Sequence, residues 1–575
     1  MSEEMNSTVK APWLKFYGDV PHTLEYPTCT MFEKVEEIAK KYPDYIAYEF
    51  MGTKCTYEQF VKDVRECAKS LHAIGIKEGD KVTIAMPNCP QGIIMFYAVN
   101  CVGAISNMIH PLSSEGEIKF FLNDSKSVAA ITLDQFYPKF ESIRKEVNLS
   151  TLIIARIKDY LSPVLKVGFT LTKGRKIKKI PKDADVIMWN DLISKGNGVT
   201  GEYEAKRVGS DPAVVLYSGG TTGVSKGILL SNYNFNALAT QIIAVAQCFT
   251  PGDKMLAVMP IFHGFGLGVC IHSMLANGGY AILMPQLILK DYANTLKKKK
   301  PNLIAGVPTL YQALLRLDDM QNADLSCLKG VFSGGDSLSI ELKKKVDKFL
   351  ADHGAKTRIR EGFGMTECVT ASCLTPYNIE KEGSIGIPFP DTFYKIVKPG
   401  TTEEVPYGEE GEICLRGPLL MIEYVNHPEE TAETLRMHED GCRWLHSGDL
   451  GVMDEDGFIY YRQRMKRMII SSGYNIYPSQ LENIIDSHDD VLMSCCIGVP
   501  DEYKQQKVKA FVMLKPGIEP SDEVKASIMA HCRKNIAKYA LPYDIEFRAE
   551  LPKTLVGKVA YRILEEEEEK KRAEA

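Results

Sequence analysis

Tyr217-Ser218-Gly219-Gly220-Thr221-Thr222-Gly223-Val224-Ser225-Lys226-Gly227 lies between two apolar runs, 213–216 and 228–230, that read as buried strands. Its four glycines, four Ser/Thr hydroxyls and one lysine suit a loop rather than a packing element. Glycine lets backbone N–H groups turn toward an oxyanion with no Cβ in the way. Hydroxyls and a lysine then complete an electropositive cradle for phosphate. A plain glycine turn between strands has similar composition. A Walker loop is excluded, because the Gly-Lys-Ser/Thr order is missing.

The loop resembles the phosphate-binding loop of the adenylate-forming superfamily, which comprises acyl-CoA synthetases, luciferases and peptide-synthetase adenylation domains. Its Gly219-Gly220-Thr221-Thr222-Gly223 form is similar to that of bacterial fatty acyl-CoA ligases; Ser225 departs from a frequent proline. The resemblance implies that Ser218, Gly219, Gly220, Thr221, Thr222, Gly223 and Lys226 bind ATP, with Thr222 also catalytic and Thr221 also on Mg²⁺.

Working outward, 575 residues imply at least two domains. Residues 31–133 alternate amphipathic helical patterns with short apolar strands, which points to doubly wound parallel sheet. Two long stretches without Asp, Glu, Lys or Arg, 82–114 and 255–289, are broken by Pro, Asn, His and Gly. They read as strand–loop–helix units of a large core rather than membrane spans. The 45% hydrophobic and 25% charged fractions are those of a globular protein, and a net charge of −5 gives no reason to expect nucleic acid. The 15 cysteines are scattered, with no Cys-x-x-Cys pair and no metal-ligand spacing. With the start Met1-Ser2-Glu3-Glu4, this leads to an expectation of reduced thiols and a cytoplasmic location. Residues 158–182 interleave lysines with Leu161, Val164, Leu165, Val167, Phe169 and Leu171. They read as a solvated insertion or as a peripheral contact with the inner face of an anionic membrane.

Further motifs follow in order. Pro260-Ile-Phe-His263-Gly-Phe-Gly266 surrounds one histidine with glycines at a strand end, a crowded setting. Arg360-Glu-Gly362-Phe363-Gly364-Met365-Thr366-Glu367 frees a flat ring to stack on a base and ends in hard oxygen donors suited to Mg²⁺. By resemblance, Gly362, Phe363, Gly364, Met365 and Thr366 take the adenine side of ATP and Glu367 the metal. The same resemblance implies that His263 lies against the substrate carboxylate and is catalytic, and that Val307, Ser333 and Gly334 wall the acyl pocket. Gly335 and Asp336 then lie beside the nucleotide. Gly334-Gly335-Asp336-Ser337-Leu338 is also similar to a carrier-domain phosphopantetheine site. It sits mid-chain before the remaining motifs, so Ser337 is read as unmodified. Asp449, in Trp444-Leu-His-Ser-Gly-Asp449, and Arg464 match the residues that hold the ribose. Lys466 falls at the hinge, with Arg467 where an acid is common. Ser472-Gly473 matches the segment that opens a channel for coenzyme A, and Lys558, beside Gly557, matches the catalytic lysine. Residues 565–569 and the basic residues after them read as a solvated, frayed helix end.

The fold implied is α/β: a large N-terminal domain of several subdomains over 1–465, and a small mobile domain over 466–575. The reaction implied is AMP-forming acyl-CoA synthesis. A carboxylate displaces pyrophosphate from ATP, Lys558 stabilises the crowded α-phosphate, and the small domain then rotates so that coenzyme A attacks the acyl-adenylate. A medium- or long-chain fatty acid is the expected substrate. An aromatic acid:CoA ligase similar to 4-coumarate ligases, an acyl-AMP ligase loading a carrier protein, and a nucleotide-binding regulator without turnover stay open. Oligomeric state is not legible.

Overall fold

A computed structural model describes residues 10–218, 225–472, 474–501, 503–554 and 558–574. The expected site residues Gly219, Gly220, Thr221, Thr222, Gly223 and Gly473 lie outside them.

Two large sheets carry the N-terminal part. One has strand order, by first residue, 387, 373, 359, 330, 303, 254, 280, 46, 53; the other runs 423, 226, 212, 105, 81, 129, 151, 187. The interior of each is parallel: Ile46–Phe50 through Ile359–Phe363 in the first, Pro212–Ser218 through Ile187–Met188 in the second. Antiparallel strands close both edges of the first sheet and one edge of the second, whose other edge is the parallel strand Ile187–Met188. Parallel strands need crossover helices on both faces, so both faces are dry and the strands read as apolar runs. The charge-free stretches follow this rule. The first forms strand Lys81–Ala85, the fully buried helix Pro90–Cys101 and strand Ile105–Met108. The second forms strand Lys254–Ala257, a buried π-helical segment Phe265–His272 and strand Tyr280–Leu283. Among the described residues no helix is long and apolar enough to cross a membrane.

Helix Met31–Lys41 starts on a capping box in which Thr30 and Glu33 satisfy each other's backbone donors. Helix Asn232–Ala246 begins on a similar Ser231/Asn234 box. It ends at Ala246, capped by left-handed Gln247. Buried Arg360 holds that end by donating to Val245 O at 2.8 Å and Ala246 O at 2.9 Å. A cation on the last carbonyls of a helix is favourable and fixes the helix against strand Ile359–Phe363.

A third, antiparallel sheet contains Phe393–Val397, Glu410–Arg416, Arg443–Met453, Leu435–Met437 and Ile459–Arg464. Beyond it a separate apolar core, from Ile469 to Ile545, is built on strands Val491–Asp501 and Gln505–Leu514. The last helix, Tyr561–Glu574, corrects the reading of 565–569 as a frayed end. Leu564 is fully buried and Glu568 is 7% exposed. Glu568 bonds buried Lys509 at 2.7 Å and Lys571 at 2.9 Å, and Glu567 pairs with Arg548 at 2.7 Å. The acidic run thus clamps the helix onto strand Gln505–Leu514. Residues 158–182 hold the short helix Pro163–Leu171, none of it buried, with Val164 and Val167 exposed.

Candidate active site

In open α/β sheets, ligands bind beyond the carboxyl ends of parallel strands. The sequence motifs collect there. Ser218 ends strand Pro212–Ser218, Val307 follows Leu303–Gly306, Ser333 ends Gly330–Ser333 and Phe363 ends Ile359–Phe363. His263 comes six residues beyond Lys254–Ala257 rather than at its end, in the turn before the π-helical segment.

Asp449 is set by a bulge. Glu412 faces Leu450 and Cys414 faces His446, so strand Arg443–Met453 carries extra residues at Ser447–Asp449. Gly448 has φ +70°, a conformation that a Cβ would strain. Glu412 accepts the Gly448 N–H at 3.0 Å, and Ser447 Oγ accepts the Asp449 N–H at 3.1 Å. Asp449 and Arg464 are register partners on adjacent strands. Arg464 Nε lies 2.9 Å from Asp449 Oδ1, yet that buried oxygen accepts no well-aligned hydrogen bond. Burial pushes the Asp449 carboxyl up to about 6, with Arg464 opposing. An under-satisfied buried acceptor suits a hydroxyl donor from outside.

Glu367, 7% exposed, accepts the Tyr424 hydroxyl at 2.7 Å. Lys226 Nζ lies 5.1 Å from the centre of the Tyr424 ring and 3.5 Å from Glu430. Tyr424 is held there because its strand pairs with Ile228 and Leu229 on the hairpin arm that carries Lys226. The carboxylate is a hard oxygen donor with capacity beyond its one hydroxyl bond, which fits Mg²⁺.

His263 accepts the Phe265 N–H on Nδ1 at 3.2 Å, which leaves the proton on Nε2. Burial, and secondarily the Lys558 charge, push its pKa down to about 3, so the imidazole is a neutral donor. The flanking glycines have a steric reason. A Cβ on Gly264 would collide with Val369 O, and one on Gly266 with Pro260 O and Met259 O. Val369 itself has φ +66°, strained for a β-branched residue beside a site.

Lys558 reaches this cluster across the chain. A Cβ on Gly335 would stand 3.6 Å from Lys558 Cε and 3.9 Å from Nζ. Burial lowers the lysine's pKa, Asp336 and Asp449 raise it, and Arg464 lowers it. Lys558, Asp336, Asp449, Arg464 and His263 therefore share one electrostatic neighbourhood. Gly335 has φ +83° and Ser337 donates its N–H to Asp336 at 3.0 Å, so the 334–338 run is a strand-end turn and no carrier helix.

Behind this neighbourhood runs an apolar cavity of about 60 Å³. Gly334, Gly335, Gly362 and Phe363 stand at the polar end; helix Asn232–Ala246 contributes Ile242 and Ala246, and Met255 and Met274 also line it. Val307 packs against Gly335 rather than lining the cavity. Gly364 is required because a Cβ would meet Thr370 O, while Met365 is buried and Thr366 opens a single 3₁₀ turn.

Of the expected coenzyme A segment the described residues hold Ser472 alone. Ser472 is exposed and donates its N–H to Lys504 O at 2.8 Å, while Lys466 is exposed in the linking turn. Arg467 turns into the small core, pairing with Glu482 and lying 4.8 Å from the Tyr561 ring centre.

Sequence reasoning missed three residues here. Tyr424 is an isolated aromatic with no motif around it. Tyr461, whose ring centre lies 6.1 Å from that of Phe363, sits in an ordinary strand pattern. Glu361 anchors Leu338 N–H at 3.2 Å and stood within a quoted motif without a role.

A family model described as AMP-binding enzyme matches residues 35–425, and one described as AMP-binding enzyme C-terminal domain matches 480–558. The long-chain-fatty-acid–CoA ligase of Bacillus subtilis (strain 168) is 36% identical over 564 residues, 97% of this chain and 98% of that one. The protein of the same description from Yersinia pestis is 32% identical over 570 residues, 97% and 98%. Among solved structures, the anthranilate CoA ligase AuaEII in complex with anthranoyl-AMP superposes with TM-score 0.81 at 25% identity, covering 96% of this chain and 98% of that one. ATP-bound MatB from Rhodopseudomonas palustris has the same fold, with TM-score 0.81 at 24% identity over 94% and 99%.

Proposed function

Given that this chain belongs to the AMP-binding enzyme family, we propose that it is an AMP-forming acyl-CoA synthetase for medium- or long-chain fatty acids. The observation that carries the substrate class is the apolar cavity opening at Gly334 and Gly335, beside Lys558. The relatives described as long-chain-fatty-acid–CoA ligases support the same class.

The acid's chain enters the cavity, where Met255 and Met274 give flexible walls to a slit that must widen for it. His263 Nε2–H donates to a carboxylate oxygen and orients the acid. Asp449, assisted by Arg464, accepts the ribose hydroxyls, and Phe363 with Gly362, Gly364, Met365 and Thr366 holds the base. Ser218, the 219–223 loop with Thr221 and Thr222, and Lys226 bind the phosphates. Glu367 with Thr221 would hold Mg²⁺, which when bound offsets phosphate charge. A carboxylate oxygen forms a bond to the α-phosphorus as the bond to pyrophosphate breaks. Lys558, with Asp336 to retain it, faces the charge that builds on the α-phosphate oxygens. Coenzyme A thiol then loses its proton to solvent, bonds to the acyl carbon and expels AMP.

That second step needs Lys558 out of the way. Residues 1–465 and 466–575 act as two domains hinged at Lys466. Arg467 travels with the small domain through Glu482, and rotation brings Ser472-Gly473 to the acyl carbon. The exposed Val164 and Val167, among lysines, give a peripheral contact for an anionic bilayer, readable by vesicle co-sedimentation of Val164→Ser/Val167→Ser.

Incubation with ATP, Mg²⁺ and octanoate, palmitate or 4-coumarate, with and without coenzyme A, tests the reading. AMP and aliphatic acyl-CoA are expected. Turnover of 4-coumarate alone replaces the fatty acid with an aromatic one, and ADP or indifference to coenzyme A overturns the synthetase.

A further inference from the structure

The antiparallel sheet beneath the Asp449 bulge carries a group of side chains that the reaction does not use. Cys414 on strand Glu410–Arg416 is the register partner of His446 on strand Arg443–Met453. His438 enters from the tight turn after Leu435–Met437, held by its own N–H to Cys442 O and by Gly441 N–H to its carbonyl, each at 3.0 Å. All three side chains are buried, and one ligand atom of each lies within 4.8 Å of the others.

The hydrogen bonds fix the protons. Glu412 accepts Gly448 N–H on one oxygen and faces His446 Nδ1 at 2.8 Å with the other, so His446 carries its proton on Nδ1 and its Nε2 lone pair is free. His438 Nε2 stands 2.9 Å from that lone pair and must donate to it. His438 Nδ1 is then a bare acceptor, and it is buried with no partner. Such an atom costs free energy unless an electron-pair acceptor meets it. Lys395 and Arg416 flank Trp444 and Arg436 acts on Cys414, a surplus of positive charge that a thiolate would offset, with Asp440 3.6 Å from Lys395 and Glu412 behind His446.

We propose that Cys414, His438 and His446 form a binding site for one transition-metal ion of the Zn²⁺ class. Thiolate with imidazole is the donor set such ions select, and three protein ligands leave a fourth position for water. Glu412 is the carboxylate that orients a ligating histidine through its far nitrogen. On binding, the Cys414 thiol releases its proton to solvent, His446 Nε2 gives the metal the lone pair that had accepted from His438, and His438 binds through Nδ1 and keeps its proton on Nε2. Because Glu412 also holds Gly448, occupancy ties the ion to the bulge that presents Asp449.

The test uses the full chain, reduced and chelator-treated, titrated with Co²⁺ and then Zn²⁺. One equivalent should bind with a thiolate-to-Co²⁺ charge-transfer band that Zn²⁺ displaces, and Zn²⁺ should raise the thermal midpoint. Cys414→Ser should abolish the band and His438→Gln should weaken binding at least tenfold. Cys532→Ser, a buried thiol of the small core, should change nothing. Should Cys414→Ser fail to fold, His438→Gln decides, since it stands in a turn outside the strands. No bound equivalent, or a band that survives both substitutions, overturns the proposal.

Discussion

Replacing Lys558 by alanine separates the two half-reactions. The half-buried side chain has its ammonium beside Gly335, with Asp336, Asp449 and Arg464 as charged neighbours. A full charge developing about 4 Å from it, at an effective dielectric near 20, interacts by about 4 kcal/mol. Loss of one preorganised donor typically costs about 3–4 kcal/mol. Both figures imply that Lys558→Ala slows acyl-adenylate formation roughly 100- to 1000-fold, read as isotope exchange between pyrophosphate and ATP. Thioester formation from synthetic acyl-adenylate and coenzyme A should fall less than tenfold, because the lysine has no charge to stabilise in that step. Lys558→Arg should recover part of the exchange rate. A less than tenfold loss of exchange, or equal losses in both assays, would refute the placement of Lys558 at the α-phosphate.

Asp449 should govern ATP binding below neutrality. Its carboxyl is raised to about 6, so protonation as the pH falls through that value removes the ribose acceptor and raises KM for ATP; Asp449→Asn should cost about 2 kcal/mol, roughly thirtyfold, and flatten the profile. His263 is neutral down to about 3, and substituting it should leave that acidic limb in place. Filling the cavity with Ala246→Phe should cut kcat/KM for palmitate roughly two-hundredfold relative to octanoate, since about four methylenes at about 0.8 kcal/mol each lose their site; equal effects on both acids would move the chain elsewhere. Glu568→Ala should destabilise the small domain by about 1.5–3 kcal/mol in urea unfolding at pH 7. Burial raises the Glu568 carboxyl but Lys509 and Lys571 outweigh it, so its folded pKa lies below 4.5. Its contribution is therefore present above 4.5 and lost as the pH falls below it, and an unchanged difference at acid pH would contradict the network.

The alternation of amphipathic helices with apolar runs made the parallel sheets legible, because a strand buried on both faces has no other composition available. The motifs were legible for a related reason. A loop that must bring backbone to phosphate needs glycine, and a carboxylate that meets a diol needs a turn, so Gly219–Gly223 (outside the described residues) and Gly448-Asp449 carry local signatures. Tyr424 and Tyr461 carry none, because their places depend on strand register, which joins residues distant in sequence. The acidic run at 565–569 misled for the same reason: its partners Lys509 and Arg548 lie in other elements.

Residue order alone carries the layered α/β fold, the order of the motifs and the chemistry their residue types can perform, since each depends on short-range constraints of backbone and side chain. It takes the folded chain to show that Lys558 stands beside Gly335, that Arg464 meets Asp449 across a bulge, and that Cys414, His438 and His446 converge where no ligand spacing exists along the chain. Such meetings are set by strand register and by the packing of one layer on another, and residue order encodes them only through the whole fold.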